Sequence, residues 1–211
     1  IKFRLEIQDI PAEDDLKPHL LVTVYDPDES SFSMEGIINK IRSMPAVAWS
    51  GSSRDLHTAP MIFFESDLDR RFYTAPGVFQ QINISHNHTV RRLVHDAIEK
   101  FSPTRILDIY CGSGNLSLPV ANNQRSIDGV EFSKRSILVA EKNVAETKLK
   151  NVHYYAGDTE KFLWRAAKQG ILYDCIIADP PREGMFKALI PLLKLKPKQI
   201  IYISCDPTTL S

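Results

Sequence analysis

Five places along the chain carry residue types that could do chemistry, and each follows a run of strand-forming residues. The first is DIYCGSGN, Asp108 to Asn115, where Gly112-Ser113-Gly114 lets the backbone come close to a ligand. Glu131 closes the next run, placed to accept hydrogen bonds from ribose hydroxyls. Gly157-Asp158 closes the third run and Asp179-Pro180-Pro181-Arg182 the fourth. The fifth, QIIYISC, ends in Cys205 and passes into a polar turn, so a thiol stands at a strand tip. Carboxylates around a glycine turn suit a nucleoside, and a thiol in such a place suits nucleophilic catalysis.

The kind of nucleoside follows from what the glycine turn lacks. A dinucleotide site needs a third glycine where helix packs on strand; Ser117 stands there, and no complete GxGxxG exists. S-adenosylmethionine has no pyrophosphate to cradle and fits better than NAD. Methyltransferases that act on exocyclic amines carry Asp/Asn-Pro-Pro followed by an aromatic ring, whereas here Arg182 follows. An amine target is thereby disfavoured, though this motif alone leaves it open. Cys205 offers a different chemistry. Carbon 5 of uracil is a poor nucleophile, but a thiolate that adds to carbon 6 turns it into an enolate with negative charge at carbon 5. A base must then take the carbon 5 proton so that the thiolate can leave.

These residues need a scaffold that brings strand ends together. From residue 85 onward strand and helix patterns alternate: RILDIYC, SIDGVE, NVHYYAG, YDCIIAD and QIIYISC read as strands. Val90, Leu93, Val94, Ala97, Ile98 and Phe101 recur at helical spacing, with Ser85 or Asn87 as the expected cap, and a second helix starts near Ser133. Such alternation predicts an α/β, doubly wound parallel sheet, whose ligands sit beyond the carboxyl ends of the strands. Residues 1 to 75 read as a small α+β segment, with strands KFRLEIQ, LLVTVYD and MIFFESD, a helix EGIINKIRSM and a turn-rich connection SGSSRDLHTAP. The expected division is 1–75 and 76–211.

Composition narrows the classes. The chain of 211 residues is 43% hydrophobic, enough for a core, and no stretch approaches the roughly 20 apolar residues of a membrane helix. Lysine plus arginine equals aspartate plus glutamate at 26 each, so no global field recruits a polyanion, and any nucleic-acid contact is a local patch. Cys111, Cys175 and Cys205 are far apart, so no metal site is expected, and a reducing cytoplasm fits them. Cys111 and Cys175 read as packing residues, and His86-Asn87-His88 as a surface triplet opening a helix.

The motifs FQQIN (Phe79 to Asn83), LDIYCGSGNLSLPVA (Leu107 to Ala121), GVE (Gly129 to Glu131), DPPREG (Asp179 to Gly184) and IYISCDPTTL (Ile201 to Leu210) resemble the RNA uracil-5-methyltransferase family, over roughly residues 75 to 211. The last of these is the most specific, with Asp206 where asparagine is commoner. The resemblance implies a Rossmann-like methyltransferase domain in which Cys205 is the nucleophile. It implies that Gln81, Tyr110, Asn115, Glu131, Asp158 and Asp179, with Gly112 and Gly114 of the turn, hold S-adenosylmethionine. It implies an RNA substrate, ribosomal favoured over transfer RNA by the wording CGSGNLSLPVA; no protein partner is predicted. Members carry the base glutamate beyond this point and usually an N-terminal RNA-binding barrel, and some hold an iron-sulfur cluster on N-terminal cysteines. The chain is therefore expected to be a fragment of a longer enzyme. The rival expectations are an amine-directed nucleic-acid methyltransferase and a cofactor- or RNA-binding piece without turnover.

Overall fold

The computed structural model describes residues 4–10, 19–25, 35–44, 47–56, 58–81 and 83–204. The chain divides into two compact units, one drawn from residues up to 66 together with 71–82, the other from 67–70 and the residues from 83 on.

In the first unit β1 (Arg4–Ile10) and β2 (His19–Tyr25) pair antiparallel. After helix α1 (Glu35–Arg42), β3 (Val47–Ser52) joins β2 in parallel. A separate ladder joins β4 (Ile62–Asp67) to β5 (Arg70–Thr74). The sequence reading missed β3 and β5. Ser50-Gly51-Ser52 looks like loop, but the Trp49 ring lies across Gly51, where a Cβ would come within 2.4 Å of it. Ser50 is buried and its hydroxyl donates to the Ile38 carbonyl at 3.0 Å, so small polar residues are what this packing requires. In β5 the two arginines hide a short alternation in which Phe72 and Thr74 are buried.

The second unit is the expected doubly wound α/β fold. Its elements are α2 (Ile84–Phe101), β6 (Arg105–Ile109), β7 (Ser126–Glu131), α3 (Lys134–Thr147), β8 (Val152–Ala156), α4 (Thr159–Lys168), β9 (Cys175–Ala178), α5 (Phe186–Lys194) and β10 (Gln199–Tyr202). The five strands form one parallel sheet in the order β10-β9-β6-β7-β8. The chain steps outward from β6 to β8 and then returns to the other side of β6, so the order reverses between β6 and β9 and opens a crevice at their carboxyl ends.

Alternation along the strands feeds two cores. Ile106, Ile127 and Ile177 pack with Val94 and Ile98 of α2 and Ile137 and Ala140 of α3. Leu107, Ile109 and Ile176 pack on the other face with Leu163 of α4 and Leu192 of α5. Each such fully buried side chain contributes about 1.5–3 kcal/mol over its exposed state.

Two expectations about α2 need correction. Its cap is Asn83, whose side chain accepts from the His86 N–H at 2.9 Å, not Ser85 or Asn87, which lie inside the helix. Its buried stripe is Asn87, Arg91, Val94 and Ile98, while Leu93 and Phe101 face outward. The spacing is helical, but the first half of the stripe is polar because it meets the glycine turn rather than the core. The helix beginning near Ser133 is as expected, with the Ser133 hydroxyl capping the Ser136 N–H.

Candidate functional site

The site begins at the end of β6. Tyr110 has φ 61°, Gly112 54° and Gly114 84°, a left-handed run that folds the backbone back over the strand end. Tyr110 adopts this conformation at a cost of order 1 kcal/mol, a strain of the kind concentrated at ligand sites. The turn is pinned by the Cys111 N–H on the Val130 carbonyl at 3.1 Å and the Gly114 N–H on the Cys111 carbonyl at 2.9 Å. Around Gly112 the place of a Cβ is open space, whereas at Gly114 a Cβ would fall 2.5 Å from the Tyr154 hydroxyl. The two glycines therefore do different things: Gly112 leaves room outside, Gly114 leaves room beneath.

Glu131 ends β7 facing this turn. One carboxylate oxygen accepts from the Gly112 N–H at 3.3 Å and the other from the Ser133 N–H at 2.8 Å. Asp158 follows β8 and caps α4 through Oδ1, which accepts from the Lys161 N–H at 2.8 Å. Asp179 follows β9, and burial raises its carboxyl above the usual range. Asn115 turns inward: its carbonyl oxygen accepts from Arg91 Nε at 2.9 Å and Nη2 at 2.6 Å, and its amide donates to Asn87 at 2.9 Å. Gln81 belongs to the first unit. Cys205 lies outside the described residues, although the β9–β10 pairing runs on as far as the Ile203 N–H on the Ala178 carbonyl at 2.8 Å.

The site holds residues that the sequence reading passed over. Asp108 is 1% exposed within β6, between Leu107 and Ile109. Its Oδ2 accepts from the Ser117 hydroxyl at 2.5 Å, while its Oδ1 is buried without a partner. Burial lifts its pKa to about 7; the Ser117 hydrogen bond works against the rise, and the neighbouring Asp179 and Glu131 add to it. An aspartate in a strand covered on both faces was the available signal. Asn87 corrects the surface reading of His86-Asn87-His88. His86 is exposed, but Asn87 is 3% exposed and exchanges hydrogen bonds with Asn115. Arg91, 1% exposed, ties Asn115 to Asp67 of the same unit, its Nη1 lying 3.2 Å from the Asp67 carboxylate. Cys111 and Cys175 are buried and their thiols are pushed up by burial, Cys175 to about 12, which makes them packing residues.

Beyond the strand ends lies a cleft of about 450 Å³ lined by Tyr110, Phe132, Asp158, Glu160, Glu183 and Phe186, among others. Phe132 and Phe186 are 80% and 86% exposed. Acidic groups around apolar rings suit a cationic ligand with a flat ring.

Residues 66–211 match the family model described as tRNA (uracil-5-)-methyltransferase. The chain belongs to this family. Curated relatives of the uracil-5-methyltransferase family include the 23S rRNA (uracil(1939)-C(5))-methyltransferase RlmD of Shewanella sediminis, 35% identical over 143 residues, which make up 68% of this chain and 32% of the relative. The enzyme of the same name from Acinetobacter baylyi is 33% identical over 174 residues, 80% of this chain and 36% of the relative. The chain thus spans about a third of the length of these relatives. Among solved structures, the Pyrococcus abyssi tRNA (uracil-54, C5)-methyltransferase in complex with S-adenosyl-L-homocysteine has a TM-score of 0.66 at 18% identity, covering 93% of this chain and 48% of that one. That likeness shows the shared fold.

Proposed function

We propose that this chain is part of an enzyme that transfers a methyl group from S-adenosylmethionine to carbon 5 of a uridine in ribosomal RNA. The observation that carries the cofactor reading is the buried, unpartnered Asp108 Oδ1 beside Glu131 and Asp179. An oxygen in that state favours a ligand that brings a cation, and three carboxyl groups repel a pyrophosphate. When bound, S-adenosylmethionine supplies a methyl group made electrophilic by its sulfonium. Glu131 accepts from the ribose hydroxyls, and Asp158, whose Oδ1 caps α4, offers its other oxygen. Gly112 admits the ligand over the turn, and Tyr110 and Asp179 border it. Asn115 and Gly114 serve from beneath, by fixing the turn to α2 and to Tyr154.

Cys205, in the strand-tip motif quoted above, is the nucleophile that adds to carbon 6 of the uracil; removal of the carbon 5 proton then releases the thiolate. The ribosomal target is supported by the relatives named for 23S rRNA. Mapping 5-methyluridine in ribosomal and transfer RNA from a strain lacking the gene tests this. One methylated uridine is lost from 23S RNA if the reading holds; loss from transfer RNA alone would move the target, and loss of neither would reject the activity.

A further inference from the structure

Beneath the glycine turn three buried groups form a chain of oxygens. Tyr154 comes from β8, Ser117 from the segment after the turn and Asp108 from β6, and Ser117 Oγ lies 2.9 Å from the Tyr154 hydroxyl and 2.5 Å from Asp108 Oδ2. The space for Tyr154 is made by two glycines, since a Cβ on Gly114 or Gly129 would fall within 2.5 Å or 2.2 Å of its side chain. Ser117 has one proton, and an ionised Asp108 can only accept it. The serine oxygen must then accept from Tyr154, so the chain runs Tyr154 to Ser117 to Asp108, each bond polarising the next. Its effect falls on one carboxylate oxygen and leaves the other, Oδ1, free.

Resting on the S-adenosylmethionine reading, we propose that Ser117 and Tyr154 are positioning residues that hold Asp108 by Oδ2 and leave its buried Oδ1 to pair with the cationic end of the donor, and that Asp108 releases a proton when the donor binds. Before the donor binds, burial holds the carboxyl raised to about 7. Glu131 from β7 and Asp179 from the end of β9 are the charges that oppose its ionisation. The thiols of Cys111 and Cys175 and the phenol of Tyr154 lie close by, but all three are pushed upward and stay neutral. Arrival of a cation reverses the balance: the carboxyl O–H bond breaks, the proton passes to water, and the carboxylate faces the ligand's positive charge. Ser117 favours the ionised form, so its loss makes the carboxyl harder to ionise.

The test is calorimetry on the full-length protein with S-adenosylmethionine and S-adenosylhomocysteine, from pH 6 to pH 9, in buffers of different ionisation heat so that released protons are counted. The wild type is expected to release about half a proton near pH 7 and to lose about tenfold in affinity from pH 8 to pH 6. Ser117→Ala should move that pH dependence upward by about one unit, with affinity recovering by pH 9, and Ser117→Thr should restore it. Tyr154→Phe, which keeps the ring under the turn, should move it the same way by less. PH-independent binding without proton release, or a Ser117→Ala loss equal at every pH, would overturn the proposal while leaving the cofactor reading intact. Absence of binding by the wild type would overturn both.

Discussion

Asp108 places a carboxyl where burial penalises its charged form. Its carboxyl is lifted to about 7 chiefly by burial, so in the folded state it resists ionising while in the unfolded chain it ionises freely. The sign follows: its cost is absent below about pH 4, where both states are protonated, and grows as pH rises toward 7, where the unfolded state has long since shed its proton. Asp108→Asn should therefore stabilise the fold by on the order of a few kcal/mol at pH 8, seen as a higher melting temperature, and leave stability almost unchanged at pH 4. Thermal denaturation at the two pH values checks this. The same variant should bind the methyl donor poorly, the trade expected of a group kept for a ligand rather than for the fold. Glu131 belongs to the same scale. Its carboxylate is already oriented by two backbone N–H groups, and Glu131→Ala should weaken donor binding by about 1.5–3 kcal/mol, read by calorimetry; unchanged affinity would remove it from the pocket.

Helix α2 is the element that fixes the turn. Arg91 is buried and engages both Asn115 and Asp67, so its removal leaves a carboxylate and an amide oxygen short of donors in a buried place. Arg91→Met should cost about 3 kcal/mol in urea denaturation, whereas the exposed neighbour Arg92 replaced by Met should change stability by no more than about 0.5 kcal/mol. Loss of the Asn83 cap is smaller: Asn83→Ala should cost about 1 kcal/mol in the same measurement. If Arg91→Met proves as mild as Arg92→Met, the polar half of the buried stripe is not what holds the turn.

At the scale of the molecule, what was legible followed from periodicity. Five apolar runs separated by helical patterns gave the strands β6 to β10 and the edge on which Glu131, Asp158 and Asp179 meet, because a parallel sheet buried on both faces leaves that pattern in the sequence. What was not legible depended on partners distant in the chain. Asn87 read as a surface polar residue and Arg91 carried no expectation, because the folded turn at Asn115 is what engages them, and Ser117 read as a missing glycine because its partners Asp108 and Tyr154 come from two strands. β3 and β5 escaped because small and charged residues occupy strand positions. Balanced charge leaves any RNA affinity to local patches, and the chain spans about a third of the length of its curated relatives. The proposed covalent methylation at carbon 5 of uridine is tested most directly by trapping: full-length enzyme, S-adenosylmethionine and RNA carrying 5-fluorouridine, read by mass spectrometry under denaturing conditions. A protein–RNA adduct carrying the transferred methyl group is expected, attached at Cys205 and absent from Cys205→Ser, which should also lose several powers of ten in methylation of ordinary RNA. A Cys205→Ser enzyme that keeps more than about a tenth of its rate, or wild-type enzyme that methylates without ever forming the adduct, would contradict it.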